Sequence, residues 1–428
     1  MDDWFGILES LIEHVKDENI KQVPRIMWVI ASATAGGIGP VCRYAAEGVI
    51  RLTGWGGTLL CLHDPTGELI DEASGLRIVS LGLDGNSARL FLQWLAANPQ
   101  DIIITSDVCH IESAFQFLPP ATRHIIQIHD SCRRYREVAV RHASWVDGVT
   151  CVGKHIETPL FYELAKVGFR GLLRTVHNGA NFPTLKPRQP YDGPLRLLFM
   201  GGVTAPKGVF DFVPLLQQLK SLGVPVSLKI VGGENEALRR QFQCKGLTEM
   251  VTWTGRVPHA HCYDIAAESD VFLMTSRKEP FGMVTIEAMS MGCVPIAYNV
   301  PSGSTEIIEH DKSGLLVPLG DISAWAGQIQ SLHYDRKRLA ELSSGAVKRA
   351  RNQFDATTMS QNLVVFLKNV MSRAENMPAS RVAGQPVEEP STYVRSARGY
   401  QRLPAVLRTW IRNHVHAIPK LSHWLLSR

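Results

Sequence analysis

A short apolar run, a turn or glycine loop and a helical pattern recur along this chain, and after a proline-rich break the series starts again. Arg25–Ala33 (RIMWVIASA) reads as a strand, Gly36-Gly37-Ile38-Gly39 as a loop, and the stretch from Pro40 onward as a helix. Thr58–Leu62, Arg77–Leu81, Ile102–Thr105, His124–Ile128 and Gly148–Val152 are further strand candidates, most of them separated by helical segments. Parallel strands need a long crossover, usually a helix, so this alternation predicts an α/β chain with a parallel sheet covered on both faces. The pattern stops between Pro183 and Pro194. Leu195–Met200 (LRLLFM) then opens a second series, with a helix over Val209–Leu222 and strands at Val226–Val231, Met250–Thr254, Asp270–Met274 and Val294–Tyr298. Two doubly wound domains in tandem are expected, which suits 428 residues, too many for one ordinary core. Ligands of such sheets bind beyond the carboxyl ends of the strands, so two facing domains would line a shared cleft.

The expected organisation is an N-terminal helix over 1–23, a first Rossmann-like domain over 24–182 and a linker over 183–194. A second Rossmann-like domain follows over 195–354, then a closing helix over 355–374, and a mobile linker with a basic amphipathic tail over 375–428. The formal charge of +5 belongs to that tail. Residues 391–428 hold seven Lys or Arg and no Asp or Glu, leaving the remaining chain at 5 − 7 = −2. The tail's apolar residues, from Leu403 through Trp410 to Leu425, recur at helical spacing, with Pro419 as a break. Apolar stripe, tryptophans and purely positive charge suit an anionic membrane surface, and equally a helix packed on protein. Nucleic acid is not expected as a partner. No run approaches the ~18 apolar residues of a membrane span. Asp2, Asp3, Glu9 and Glu13 argue against a secretory signal, so a cytoplasmic location is expected, with peripheral contact at the membrane face. The eight cysteines are scattered with no C-x-x-C pair and read as reduced packing residues rather than a zinc site.

Chemistry concentrates at Glu279-Pro280-Phe281-Gly282-Met283-Val284-Thr285-Ile286-Glu287. The spacing puts Glu279 at the mouth of a helix and Glu287 about two turns into an apolar-periodic stretch, with the helix N-terminus open between them. An anionic centre with hydroxyls on both sides fits that arrangement, as in a sugar attached to a nucleoside diphosphate. Gly282 lets backbone approach a ligand closely, with Met283 and Val284 as the first helical residues. Lys207, in a loop between a strand and a helix, can neutralise a diphosphate, aided by free N–H groups of the helix start.

This element resembles the E-x7-E signature of retaining glycosyltransferases with the GT-B fold, specifically family 4. Gly292-Cys293-Val294-Pro295-Ile296-Ala297 with Ser302-Gly303-Ser304-Thr305-Glu306 resembles that family's G-x-P-V-I-A … G-x-x-E run, with Val294 and Pro295 in swapped order. Ser313–Val317 resembles its N-G-x-L-V turn, and Phe199–Gly208 its G-R-L-x-x-x-K-G loop. The resemblance covers residues 195–372 and extends more thinly over 25–180 through Gly36–Gly39, His129-Asp130 and His177-Asn178-Gly179. It implies GT-B architecture and transfer of a sugar from a nucleotide sugar to the hydroxyl of a glycan, lipid-linked or small-molecule acceptor, with retention. It implies no cofactor beyond the co-substrate, and no acidic metal cage is evident.

By the same resemblance, Glu279 contacts sugar hydroxyls or steadies charge near the anomeric carbon, and Glu287 holds the ribose hydroxyls. The amides after Gly282 face the diphosphate or sugar, and Gly37 approaches donor phosphate and acceptor. His129 contacts the transferred sugar, and Arg256 lies in the base-binding loop. Glu306 ranks lower, as a helix cap or support. One position departs from the pattern: Gly202 stands where an arginine usually partners the lysine. That substitution keeps a non-catalytic partner subunit open as an alternative. A hydrolase using the two carboxylates is disfavoured, because transferases of this type are thought to use the leaving phosphate as base. A nicotinamide-dependent enzyme is disfavoured by the missing G-x-G-x-x-G spacing.

Overall fold

The computed structural model describes residues 23–33, 36–83, 87–185 and 191–373. The proposed N-terminal helix and the basic tail lie outside the described residues. In the first domain the strands are β1 (Arg25–Ile30), β2 (Gly56–Cys61), β3 (Gly67–Asp71), β4 (Leu76–Ser80), β5 (Ile102–Ser106), β6 (Arg123–Ile128), β7 (Gly148–Cys151) and β8 (Leu172–Thr175). They form one sheet in the order β3-β4-β2-β1-β5-β6-β7-β8. Helices α1 (Ile38–Thr53), α2 (Ser87–Ala97), α3 (Arg133–Arg141) and α4 (Lys154–Lys166) connect them. After Arg25 the central strand β1 is apolar, and Ile26 to Ile30 are all fully buried, as a sheet covered on both faces requires. Met27 pairs with Thr58 on one side and Ile103 on the other.

The second sheet runs β11-β10-β9-β12-β13-β14. Its strands are β9 (Leu195–Met200), β10 (Val226–Val231), β11 (Val251–Gly255), β12 (Val271–Met274), β13 (Val294–Tyr298) and β14 (Leu315–Val317). The helices are α5 (Phe212–Ser221), α6 (Glu236–Cys244), α7 (His259–Ala267), α8 (Met283–Ser290), α9 (Gly303–Ile307), α10 (Ile322–Tyr334) and α11 (Arg336–Gln353). All its pairings are parallel. In both sheets the strand order reverses beside the first strand, the position where doubly wound folds bind ligands.

Several elements differ from the sequence expectation. β3 pairs antiparallel with β4 and ends the sheet as an exposed ribbon, with Leu69 and Ile70 more than half exposed, so the first sheet is not wholly parallel. β8 and β14 are four and three residues long, too short to show a period. The helix expected over Val209–Leu222 starts as a separate 3-10 turn over Val209–Asp211 before α5. α8 starts at Met283, among the residues expected to open it, but Glu287 then sits about one turn into the helix rather than two.

The last described helix, α12 (Ala356–Ser372), leaves the second domain and packs on the first. Met359, Leu363, Phe366 and Leu367 enter the same buried cluster as Ile26, Trp28 and Val49, each worth about 1.5–3 kcal/mol of transfer free energy. α1 and α12 cross closely: a Cβ on Gly48 would lie 2.0 Å from Ser360 Oγ. The return is pinned by backbone bonds in both directions, Ala180 N to Phe354 O and Ala356 N to Ala180 O, both 3.0 Å. The return of the chain at Phe354–Ala356 therefore lies beside Ala180, near the end of the first domain.

Candidate active site

The loop from β12 into α8 is the centre of the candidate site. Gly282 holds φ +105°, a conformation that favours glycine, and it caps α8 without any side-chain hydrogen bond. The first internal bonds are donated by Thr285 and Ile286, both to Gly282 O, so the amides of Met283 and Val284 have no partner within the helix. A helix start of this kind attracts anions. Thr285 Oγ1 in the first turn of α8 and Ser276 Oγ in the loop after β12 are buried with no hydrogen-bond partner. Buried polar atoms are rarely left so, and these two can bond a ligand's oxygens.

Lys207 reaches this loop from a 3-10 turn (Ala205–Lys207) that follows β9. Its Nζ lies 2.7 Å from Glu279 Oε2, and the Glu279 side chain is only 10% exposed. Sequence reasoning placed each of these residues at a ligand but not at each other. The ammonium has three donors, so it can keep Glu279 and still turn N–H groups toward a diphosphate. The turn is tied to the sheet by Thr275 Oγ1, which donates to Lys207 O at 2.8 Å. A Cβ on Gly208 would lie 2.1 Å from Thr275 O, so the backbones meet at glycine. At Gly202 the space is open: a Cβ there meets nothing within 4 Å.

Glu287, on the body of α8, is buried, and its Oε1 lies 2.9 Å from His259 Nε2 at the first position of α7. The bond from His259 to this carboxylate raises the imidazole above its ordinary 6.5, against partial burial. His259 was not singled out from sequence; two histidines two positions apart at a helix start, His259 and His261, do not show which of them meets a carboxylate. Arg256 is exposed in the loop between β11 and α7. Tyr44 approaches from α1 of the first domain: burial first and the Glu287 charge second push its phenol up.

The first domain closes over this helix start. A Cβ on Gly37 would contact Met283 Cγ at 3.9 Å, so the glycine loop abuts α8 across the cleft. The loop is anchored by Asp64, which accepts from Ser32 Oγ and, at 2.7 Å, from Ala33 N. Asp64 was likewise not legible from sequence. His129 follows β6 at its carboxyl end, but its ring is buried, with Nε2 3.8 Å from Cys42 Sγ, and burial pushes it down to about 4. It is therefore a neutral imidazole at neutral pH and no cation. Lys207, Glu279, Gly282, Met283, Val284, Glu287 and Gly37 thus gather around one helix start, while His129 lies inside the first domain and Arg256 at the outer loop. Among the described residues no group of three or more His, Cys, Asp or Glu is placed to hold a metal ion. No described helix is long and apolar enough to cross a membrane.

The chain is similar to known proteins in sequence and in fold. Residues 183–350 match the family model described as glycosyl transferases group 1. A glycogen synthase of Mycobacterium tuberculosis is 24% identical over 267 residues, 57% of this chain and 64% of that protein, so the chain spans less than two thirds of this relative. Sucrose-phosphate synthase from Thermosynechococcus elongatus superposes with a TM-score of 0.68 at 19% identity, covering 82% of this chain and all of the other. Anabaena Alr3699/HepE in complex with UDP-glucose superposes at 0.63 with 20% identity, covering 81% of this chain and 99% of the other. The second domain, over residues 183–350, matches the glycosyl transferases group 1, and the two facing Rossmann-like domains give the chain a GT-B fold.

Proposed function

We propose that the chain is a family 4 glycosyltransferase that moves a sugar from a nucleotide sugar to an acceptor hydroxyl with retention of configuration. The observation that carries this reading is the convergence of Lys207, Glu279 and Glu287 on the uncapped start of α8, opposite Gly37. The diphosphate sits at the Met283 and Val284 amides with Lys207 beside it. Glu287 takes the ribose hydroxyls, and Arg256 flanks the base. Glu279 holds Lys207 in place and faces the sugar, and the neutral His129 lies at the sugar side of the first domain. The acceptor enters over Gly36 to Gly39 and its hydroxyl attacks on the face from which the diphosphate leaves. The departing phosphate oxygen takes the proton. Stabilising the leaving diphosphate is the main catalytic contribution, and it comes from fixed donors already aimed at the forming charge. Lys207 and the helix amides supply that charge complement, so chelation with EDTA is expected to leave turnover unchanged. The acceptor is a glycan, a lipid-linked glycan or a small molecule. Residues 403–428 would hold the enzyme on an anionic membrane face; deleting 391–428 should abolish flotation with anionic liposomes, and unchanged flotation would refute that part.

A second reading, a non-catalytic partner subunit, is favoured by Gly202 alone. It is separated by screening UDP-, GDP- and ADP-sugars for hydrolysis and for transfer to lipid and glycan acceptors. Turnover of one donor, lost in Lys207→Ala, supports the enzyme. Silence across the panel, with nucleoside diphosphates still bound, supports the subunit.

A further inference from the structure

One carboxylate of the second domain is held by four donors of the first. Glu306 lies on α9, just beyond the carboxyl end of β13. Its Oε1 accepts from His155 N at 3.0 Å and His155 Nδ1 at 2.7 Å. Its Oε2 accepts from Lys154 N at 2.8 Å and His177 Nε2 at 2.9 Å. Lys154 and His155 are the first residues of the 13-residue helix α4, whose N-cap, Gly153, offers no side-chain bond. Glu306 therefore caps α4 from the other domain, meeting both the orphan amides and the positive end of the helix. The backbone is fitted to this contact. A Cβ on Gly153 would lie 2.9 Å from Glu306 Oε1 and 2.6 Å from the His155 ring. Burial pushes the Glu306 carboxyl up, but the bonds from His155, His177 and the two amides outweigh it and hold it well below the ordinary range.

The other end of α9 is joined to the donor loop. Gly303 N donates to Glu279 O at 2.9 Å, and a Cβ on Gly303 would run into the Phe281 backbone at 2.1 Å. Phe281 in turn packs on His177 with tilted rings 6.0 Å apart between centroids, and meets Phe354 at the crossover edge to face at 5.8 Å. One short helix thus grips the Glu279–Phe281 backbone at its start and the first domain at its fourth residue.

We propose that Glu306 is a positioning residue: by capping α4 across the cleft and holding His155 and His177, it fixes the acceptor domain relative to the Glu279–Glu287 loop. The catalytic half of this inference rests on the glycosyltransfer reading; the contact itself does not. Glu306 touches no substrate. It acts by keeping Gly37 and Met283 within reach of each other while a sugar lies between the domains, where small misplacements cost rate steeply.

The test uses the full chain with Glu306→Ala, Glu306→Gln and Gly153→Ala, the last intruding on the same oxygen from the first domain. Hydrogen exchange of the amides at Lys154 and His155 reads the contact directly. Solution scattering reads the separation of the domains, and circular dichroism checks folding. Calorimetry with UDP, GDP and ADP reads the donor site, and kcat is followed with whichever of UDP-glucose, GDP-mannose or ADP-glucose the wild type hydrolyses fastest. We expect exchange at both amides to quicken at least ten-fold in Glu306→Ala, a wider scattering profile, and diphosphate affinity within two-fold of wild type. We expect kcat to fall at least ten-fold, with Glu306→Gln intermediate and Gly153→Ala in the same direction. Unchanged exchange and scattering in Glu306→Ala would overturn the contact. Faster exchange with unchanged kcat would overturn the positioning role. Wild type binding none of the diphosphates would sink the glycosyltransfer reading and the catalytic half with it, while exchange and scattering would still decide the contact.

Discussion

Gly202 has room for the side chain it lacks, and that makes the diphosphate assignment open to gain as well as loss. A Cβ there meets nothing within 4 Å, so Gly202→Arg should fold and place a second cation near Lys207. A charge-assisted contact is worth about 1.5–3 kcal/mol. Calorimetry should therefore show the best-bound nucleoside diphosphate held about ten-fold or more tightly in Gly202→Arg, and weakened by a similar factor in Lys207→Ala. The His259–Glu287 pair gives a second test. The carboxylate raises His259 above 6.5, so the pair's contribution is fully present below pH 6.5 and is lost as pH rises through the raised value. NMR titration should find His259 titrating above 6.5 in the wild type and returning toward it in Glu287→Gln; identical titrations would refute the pairing. At this scale the sequence was legible where residues share one segment. Glu279, Gly282 and Glu287 stand within nine positions, so spacing alone put them on one loop and helix. The Lys207–Glu279 bond, His259, Asp64 and the histidine partners of Glu306 arise between segments far apart in the chain, and a single sequence carries no signal of such pairings.

At the level of elements, close backbone approaches decide the packing. Gly48 lets α1 cross α12, and Gly48→Ala would push a Cβ against Ser360. Overpacking of this kind typically costs about 1–3 kcal/mol, to be seen as a lower urea midpoint with the slope unchanged; an unchanged midpoint would mean that the crossing relaxes freely. Strands such as Leu195–Met200, Val226–Val231 and Val294–Tyr298 were readable to the residue, because buried parallel strands are predominantly apolar and Arg196, Ser227 and Lys229 only interrupt the runs. The exposed edge strand β3 was not, since half-polar GELID buries no core face and is too short to stand out between its flanking turns. The start of α8 was legible, but the depth of Glu287 within it was overestimated by a turn. Pro280, Phe281 and Gly282 continue the apolar character of the helix, yet the positive φ of Gly282 delays its first turn to Met283.

For the whole molecule, the return of the chain at Phe354–Ala356, the Glu306 contact and the Gly37–Met283 approach bring the loops beyond the strand ends of one domain against those of the other. The tandem plan was visible in the restart of the strand pattern after Pro194. The mutual placement of the domains was not, because it depends on α12 returning to the first sheet and on Glu306 reaching α4. That placement matters only if a nucleotide sugar occupies the cleft. The most direct measurement is turnover of UDP-, GDP- and ADP-sugars by wild type and Lys207→Ala in the presence of acceptor, with the anomeric configuration of donor and product read by NMR. One donor should be consumed with its configuration retained, and Lys207→Ala should slow it at least ten-fold. Inverted product, or full activity in Lys207→Ala, would contradict the mechanism derived from this site.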